Sequence, residues 1–282
     1  MERILIGNLS EHVGKEVLIE GSVSVRRDQG KLVFFDFRDR SGVVQGVVLP
    51  KSDALEAAKE VKSEYVVAVG GIVNQRPEKN VNLDVQNGDI ELEITSIFVL
   101  SQSRELPFEL GTEVNIDTHL DYLPYTLRTE KSRAIFKVQA EIAKAYRFFL
   151  NGEGFSEFQA PKLIGDDAEG SGEVFEVAYL YGKTAHLATS PQLYKQIMVG
   201  AMERVFSIGN VFRAEKHATT RHLNEYTSMD AEFGFIKDHH DIMLMENRLM
   251  AAICDHLRDT CEKEFALLGA DIPQVPERIP YM

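Results

Sequence analysis

Residues 1 to about 110 carry five segments rich in Val, Ile and Phe, broken once by a helical stretch. Positions 15–25 alternate apolar and polar residues, the period of a strand with one buried face. Segments 31–37 (KLVFFDF) and 42–49 (GVVQGVVL) follow, with Asp39, Arg40, Ser41 and Gly42 supplying a turn composition. Residues 54–62 read as a short helix, and 65–73 and 89–100 complete the strands. Five strands with one interrupting helix outline an OB-fold, a small closed barrel that binds oligonucleotides on one face. A five-stranded barrel without a ligand fits the same pattern.

The rest of the chain has a different rhythm. Residues 101–121, with Pro107 and Gly111, show no clear periodicity and read as a connector. An amphipathic helix is predicted over 130–150, with Ile135, Val138, Ile142, Ala145, Phe148 and Phe149 at helical spacing, until the glycines at 152 and 154 break it. Residues 155–163 (FSEFQAPKL) read as a strand containing Pro161, and 174–189, 205–215 and 226–236 as further strands. Helices are predicted over 192–202 and 241–268. Antiparallel strands with segregated helices make the fold class α+β, a β-barrel followed by an antiparallel-sheet domain. The expected organisation is a barrel at 1–105, a linker at 106–128 and the second domain at 129–282.

A formal charge of -13 argues against nonspecific coating of nucleic acid. It does not exclude a local patch, and Arg26, Arg27, Lys31, Arg38 and Arg40 form a basic cluster within the barrel segments. No apolar run approaches the roughly 18 residues of a membrane span. The first residues lack a signal pattern, so a cytoplasmic protein with no membrane partner is expected. Cys254 and Cys261 form neither a disulfide framework nor a metal-ligand cluster.

Three clusters could carry chemistry. In 212–233, a strand ends in Phe-Arg-Ala-Glu, a polar loop carries Lys216, His217, Arg221 and His222, and a second strand carries Glu225, Tyr226, Asp230 and Glu232. Strand alternation would put Arg213 and Glu215 on one face, and Asp230 with Glu232 on one face. Arginine suits bidentate contact with phosphate; a solvated, salt-bridged hairpin is the plainer reading. In 188–196 (ATSPQLYKQ), Ser190-Pro191 signals a helix start with Pro at its first position. Gln192 and Lys195 then share a helix face. Lys195, among apolar neighbours, is either snorkelling to solvent or held for an anion. The small acidic stretch 166–174 (DDAEGSGEV) has the composition of a loop that can close over a ligand, or of an ordinary connection.

SPQLYKQ, ERVFSIGNVFRAE and TTRHLNEYTSMDAEF, in this order, closely resemble the class II aminoacyl-tRNA synthetases of the aspartate–asparagine–lysine subgroup. The Arg213 hairpin resembles their second motif. GFSEFQAPKL, with Pro161, resembles the first, which implies a homodimer interface around Pro161. The barrel resembles their OB-fold anticodon-binding domain. Ser-Pro-Gln-Leu-aromatic-Lys-Gln is the pattern of the aspartate enzymes, whereas the asparagine enzymes lack the lysine. The resemblance therefore implies ATP-dependent attachment of aspartate to tRNA(Asp) through aspartyl-adenylate. Two alternatives are charging of both tRNA(Asp) and tRNA(Asn), and an RNA-binding protein without catalysis. An ammonium at Lys195 left unpaired by asparagine's amide would cost about 3–5 kcal/mol.

By the same resemblance, Arg213 holds the α-phosphate and the substrate carboxylate. Glu215 accepts from the adenine amino group, and Tyr226 stacks on the ring. Arg221 and His222 contact the outer phosphates or the tRNA end, with Leu223 also at the ATP site. Glu169, Gln192 and Asp230 anchor the substrate ammonium, and Lys195 reads the side-chain carboxylate. In the barrel, Arg27, Phe34 and Gln45 match the anticodon-contacting positions. The family's third motif, a Gly-rich strand and helix ending in arginine, has no match before Met282. The chain is accordingly expected to be an N-terminal fragment, inactive alone, without metal ligands of its own; those for Mg²⁺ would lie in the missing part. The apolar faces of 205–211 and 241–268 are then expected to stand exposed.

Overall fold

The computed structural model describes residues 1–82, 85–166, 173–217, 219 and 222–280. The chain forms two compact units, Met1–Pro107 and Phe108–Met282. The first contains β1 (Glu16–Gln29), β2 (Leu32–Arg38), β3 (Val43–Val48), α1 (Leu55–Glu60), β4 (Val66–Gln75) and β5 (Ile90–Ser101). Its strands close into a barrel in the order β1-β2-β3-β5-β4. The pairing is antiparallel except between β3 and β5.

Alternation drives the closure. Val17, Ile19 and Val23 of β1, Val33, Phe35 and Phe37 of β2, and Ile90, Leu92 and Ile94 of β5 all enter one core. Full burial of each such side chain stabilises by about 1.5–3 kcal/mol. Gly46 of β3 makes the close approach possible, since a Cβ there would meet Phe37 and Ile94 side-chain atoms at 2.8 Å.

The β2–β3 turn is tied by Asp39. Its carboxylate accepts from the Ser41 N–H at 2.7 Å, the Gly42 N–H at 3.1 Å, the Ser41 hydroxyl, and the Ile6 N–H at 3.0 Å. Burial alone would raise the Asp39 pKa, but these hydrogen bonds outweigh it and hold the carboxyl below its ordinary value. A group depressed on folding contributes stability that is complete above its unfolded pKa and lost as pH falls through the folded one. Asp39→Ala is therefore expected to weaken the barrel at neutral pH and to flatten its loss of stability from roughly pH 5 to 2. Hydrogen exchange of the barrel amides against pH checks this; an unaltered pH profile contradicts it.

The second unit contains α2 (Ile116–Asp121), α3 (Leu123–Thr126), α4 (Glu130–Gly152), β6 (Ser156–Glu157), β7 (Leu163–Ile164), β8 (Glu176–Ala178), β9 (Thr184–Leu187), α5 (Gln192–Met202), β10 (Arg204–Phe212), β11 (Glu225–Phe233) and α6 (His239–Leu268). Two three-stranded sheets result, β11-β10-β6 and β7-β9-β8. Phe206 on β10 packs with Ala145, Tyr146 and Leu150 of α4 and with Ile253, Leu257 and Cys261 of α6. This core occupies one face of the first sheet and leaves the other for polar residues. Asp238 starts α6 by accepting from the His240 N–H at 2.8 Å, and Gly269 ends it in the left-handed conformation. Both cysteines are free and buried.

Several expectations need correction. The connector contains α2, which Asn115 caps by accepting from the Thr118 N–H at 2.8 Å. Residues 155–163 are not one strand: β6 and β7 join different sheets, and Pro161 between them has no N–H to donate to a ladder. Residues 174–189 form the β8–β9 hairpin, turned by Tyr181 and Gly182 at positive φ. On α4, Val138, Ile142, Ala145 and Phe149 pack inward, but Ile135 and Phe148 are exposed, the latter one position off the stripe. Val205 and Val211 are buried rather than exposed; on α6 Ile253, Cys254 and Leu257 are buried, while Ile242, Leu244, Met250 and Leu267 stand exposed as expected.

Candidate functional site

The polar face of the β10–β11 pair is set by register. Ser207 lies opposite Asp230, Gly209 opposite Ser228, Val211 opposite Tyr226 and Val205 opposite Glu232. Since side chains alternate along a strand, Tyr226, Ser228, Asp230 and Glu232 share one face, while Ala231 and Phe233 join the helical core. Helix α5 brings Lys195 to this face. Ser190 accepts from the Gln192 N–H at 3.1 Å, and Pro191 is the N-cap residue, one position earlier than its expected place inside the helix.

Lys195 is 6% exposed, so it does not snorkel. Its Nζ lies 3.1 Å from Asp230 Oδ1 and 3.7 Å from Glu232 Oε2. Asp230 also accepts from the Ser228 hydroxyl. Discrimination by an unpaired charge needs an ammonium without a protein partner, whereas Lys195 has two carboxylates beside it. Asparagine in the pocket would leave Lys195 paired, so an unpaired-charge cost of 3–5 kcal/mol is an upper bound. Asp230, expected on a substrate ammonium, is itself bound to Lys195.

Strand β10 stops at Phe212, so Arg213 and Glu215 lie beyond it and owe nothing to strand alternation. They are positioned instead by Asn224. The Arg213 N–H donates to the Asn224 carbonyl at 2.9 Å, and the Asn224 side-chain amide donates to the Arg213 carbonyl at 2.9 Å and the Glu215 carbonyl at 3.3 Å. The Arg213 guanidinium lies over the Tyr226 ring, 5.9 Å from its centroid. Among the described residues Glu215 Oε2 is buried without a hydrogen-bond partner, with His222 Nε2 3.7 Å away. Leu223 is exposed and Gln192 half-buried. Glu169 and Arg221 lie outside the described residues.

On the barrel, Arg27, Phe34 and Gln45 line one cavity of about 310 Å³. Phe34 sits opposite Arg27 across the β1–β2 pair and opposite Val47 across β2–β3. Arg27 donates to both Asp36 oxygens, at 2.8 and 2.9 Å, and to Gln45 Oε1 at 3.4 Å. Of the expected basic cluster, Arg26, Arg27 and Arg38 face carboxylates and carbonyls in three dimensions. Arg26 donates to the Lys59 and Val61 carbonyls at 2.8 Å, and Arg38 is paired with buried Glu64.

Sequence reasoning missed Gln29, Arg76, Asn80 and Glu91 on the same cavity, of which Arg76 and Asn80 lie in the segment just after β4. It also missed Lys162, whose ammonium reaches the polar face over Gly209. The only signal for Lys162 was its place directly after Pro161. Asp238, His239 and His240 are grouped closely enough to hold a metal ion, but all three are exposed and serve the start of α6.

A closed barrel whose cavity is lined by Arg27, Arg76 and Phe34 is thus followed by a sheet face carrying Lys195 and its carboxylates. Residues 17–100 match the OB-fold nucleic acid binding domain, and residues 115–282 match tRNA synthetases class II (D, K and N). The chain belongs to the class II tRNA synthetases of this group. The aspartate–tRNA(Asp/Asn) ligase of Deinococcus radiodurans is 44% identical over 99% of this chain. That of Thermus thermophilus is 42% identical, also over 99%. The chain spans 62% and 63% of the length of these two relatives. The asparaginyl-tRNA synthetase of Pyrococcus horikoshii, complexed with asparaginyl-adenylate, superposes with a TM-score of 0.85 at 30% identity, covering 95% of this chain and 61% of that one. No helix among the described residues is long and apolar enough to cross a membrane.

Proposed function

We propose that this chain carries the anticodon-reading barrel and the aspartate- and adenine-binding part of an aspartate–tRNA ligase. The observation that carries the reading is the buried ammonium of Lys195, held on the sheet face that also carries Tyr226, over which the Arg213 guanidinium lies, in a chain of this family. The site needs no protein nucleophile. The aspartate α-carboxylate attacks the α-phosphorus of ATP, one carboxylate oxygen forms the new P–O bond, and pyrophosphate leaves. Arg213 turns off the Tyr226 ring onto the α-phosphate, where it stabilises the developing charge. Its departure opens the ring to the adenine, and the buried Glu215 oxygen accepts the adenine amino group. Lys195 and Gln192 orient aspartate, which is a gain through positioning. Glu169, Arg221, His222 and Leu223 complete the aspartate and ATP contacts. A hydroxyl of the tRNA's terminal ribose then attacks the aspartyl carbonyl, the ester forms and AMP leaves with the electrons of the broken anhydride bond. Asp230 and Glu232 already face the Lys195 ammonium, so this pair of carboxylates does not fit a Mg²⁺ donor set.

Both relatives named above act on tRNA(Asp/Asn), which favours charging of both tRNAs over strict tRNA(Asp) specificity. A homodimer through the region of Pro161 and a cytoplasmic location complete the proposal. Transfer of labelled aspartate to tRNA(Asp) and tRNA(Asn) transcripts, by the protein at its relatives' length, tests the assignment. Absence of transfer to either rejects it.

The barrel has its own test. Phe34 presents an aromatic face beside Arg27 and Gln45, the combination on which single-stranded bases stack and hydrogen-bond. Phe34→Ala is expected to weaken binding of the tRNA(Asp) anticodon stem-loop by about 1–3 kcal/mol. Titration at fixed salt checks this, and equal binding rejects the site.

A further inference from the structure

Lys162 is a second ammonium on the sheet face, and none of the roles above uses it. Its backbone is fixed where the two sheets meet: its carbonyl accepts from the Ala188 N–H at 2.9 Å, and the Ala188 carbonyl accepts from the Phe212 N–H at 3.0 Å. The side chain passes over Gly209 of β10. A Cβ at that position would meet Lys162 Nζ at 3.1 Å and Cε at 3.3 Å, so a larger residue would press on the ammonium. Gly209 is opposite Ser228, and two residues before it Ser207 is opposite Asp230. Lys162 therefore reaches the polar face beside the carboxylate that holds Lys195. Among the described residues the Lys162 ammonium has no hydrogen bond and no ion pair within 4.0 Å, yet Asp230 is close enough for its charge to act on it. Burial holds the ammonium below the ordinary lysine range, and Asp230 opposes that shift.

The charges on this face pose a problem for any anionic ligand. In the free protein, Asp230 and Glu232 face Lys195. A ligand carboxylate that draws Lys195 away leaves Asp230, with a side chain only 19% exposed, without its counterion. A poorly solvated carboxylate without a partner is costly, and its repulsion from the ligand adds to that. We propose that Lys162 is a positioning residue, a reserve counterion that takes over Asp230 when Lys195 turns to the carboxylate of the substrate. The proposal rests on the reading of Lys195 as the group that recognises the aspartate side chain. It makes recognition an exchange of partners, in which Asp230 keeps a cation throughout.

The test uses the 282-residue chain with ¹³C-labelled lysine side chains, following the Lys162 Cε resonance through a pH titration. Lys195→Met removes Asp230's first partner, so the Lys162 pKa should rise, by about one pH unit or more for an opposite charge brought into contact. Adding Asp230→Asn to that variant should abolish the rise, which loss of the neighbouring Lys195 charge alone would not do. Aspartyl-sulfamoyl-adenosine, a stable analogue of the adenylate, should produce the same rise in the unaltered protein. Lys162→Met should weaken binding of that analogue about tenfold, AMP binding should be unchanged, and Lys162→Arg should restore the affinity. A Lys162 pKa that does not move in Lys195→Met, or a rise that persists with Asp230→Asn, overturns the proposal. A rise in Lys195→Met with no response to the analogue supports the reserve counterion and rejects the aspartate reading instead.

Discussion

Lys195→Leu is expected to remove recognition of the aspartate carboxylate while leaving adenine-nucleotide binding intact. Leucine has nearly the bulk of the lysine stem but no charge, so the helix α5 packing is largely kept. The interaction lost is a charge-assisted hydrogen bond in a site where Lys195 is 6% exposed. Such bonds contribute about 1.5–3 kcal/mol, or roughly 10–100-fold in affinity. A second effect acts in the same direction. Without Lys195, Asp230 and Glu232 stand on the sheet face and repel an incoming carboxylate, so the total loss should sit at the upper end of that range. AMP contacts Arg213, Glu215 and Tyr226 in the proposed site, not Lys195, and its affinity should change little. Calorimetric titration of both ligands checks the split. Equal losses for both would indicate a damaged fold, and no loss for aspartyl-sulfamoyl-adenosine would remove Lys195 from the site.

Glu64→Ala should be the most damaging single change in the barrel. The Glu64 side chain is fully buried, and Arg38 donates to both of its oxygens, at 2.7 and 2.6 Å. Arg38 also donates to Ser24 Oγ at 3.2 Å, beside the irregularity in β1 where Val23 and Val25 pair out of step. The Glu64 N–H donates to the Val23 carbonyl at 2.7 Å, so the pair fastens the chain before β4 to the bent part of β1. Removing one partner of a buried ion pair leaves the other charge uncompensated and costs about 3–5 kcal/mol. Replacing both, as Arg38→Met with Glu64→Met, should cost less than the single change, since no charge is then stranded. Hydrogen exchange of the β1 and β2 amides reads the difference. A single variant no less stable than the double would contradict the account of this pair.

The barrel was legible because each strand buries alternate residues, so periodicity and structure report the same fact. KLVFFDF places Val33, Phe35 and Phe37 inside and leaves Phe34 outward, and the observed strand begins one residue later and ends one later than expected. Helix α5 was equally plain, from the Ser-Pro start to Met202. The short pieces were not. β6 and β7 contain two residues each and depend on strands far away in sequence, which no local pattern encodes. In the site, the residue types could be chosen from their spacing and family resemblance, but their pairings could not. Lys195 and Asp230 are 35 positions apart and meet only through the register of β10 with β11. Lys162 becomes visible only once Gly209 is known to lie beneath it. The pairing of Arg27 and Arg38 in the barrel's basic cluster was hidden for the same reason, since Asp36 and Glu64 neutralise arginines that look free in a linear reading.

The central claim is that the sheet face reads an aspartate side chain by its charge. Titration of the 282-residue chain with aspartyl-sulfamoyl-adenosine and with its asparaginyl counterpart tests this directly, because the two ligands share every group except the side-chain terminus. The aspartyl compound should bind at least about tenfold more tightly, roughly 1.4 kcal/mol, and the preference should vanish in Lys195→Leu. Equal affinity for the two compounds, or a preference for the asparaginyl one, would contradict it.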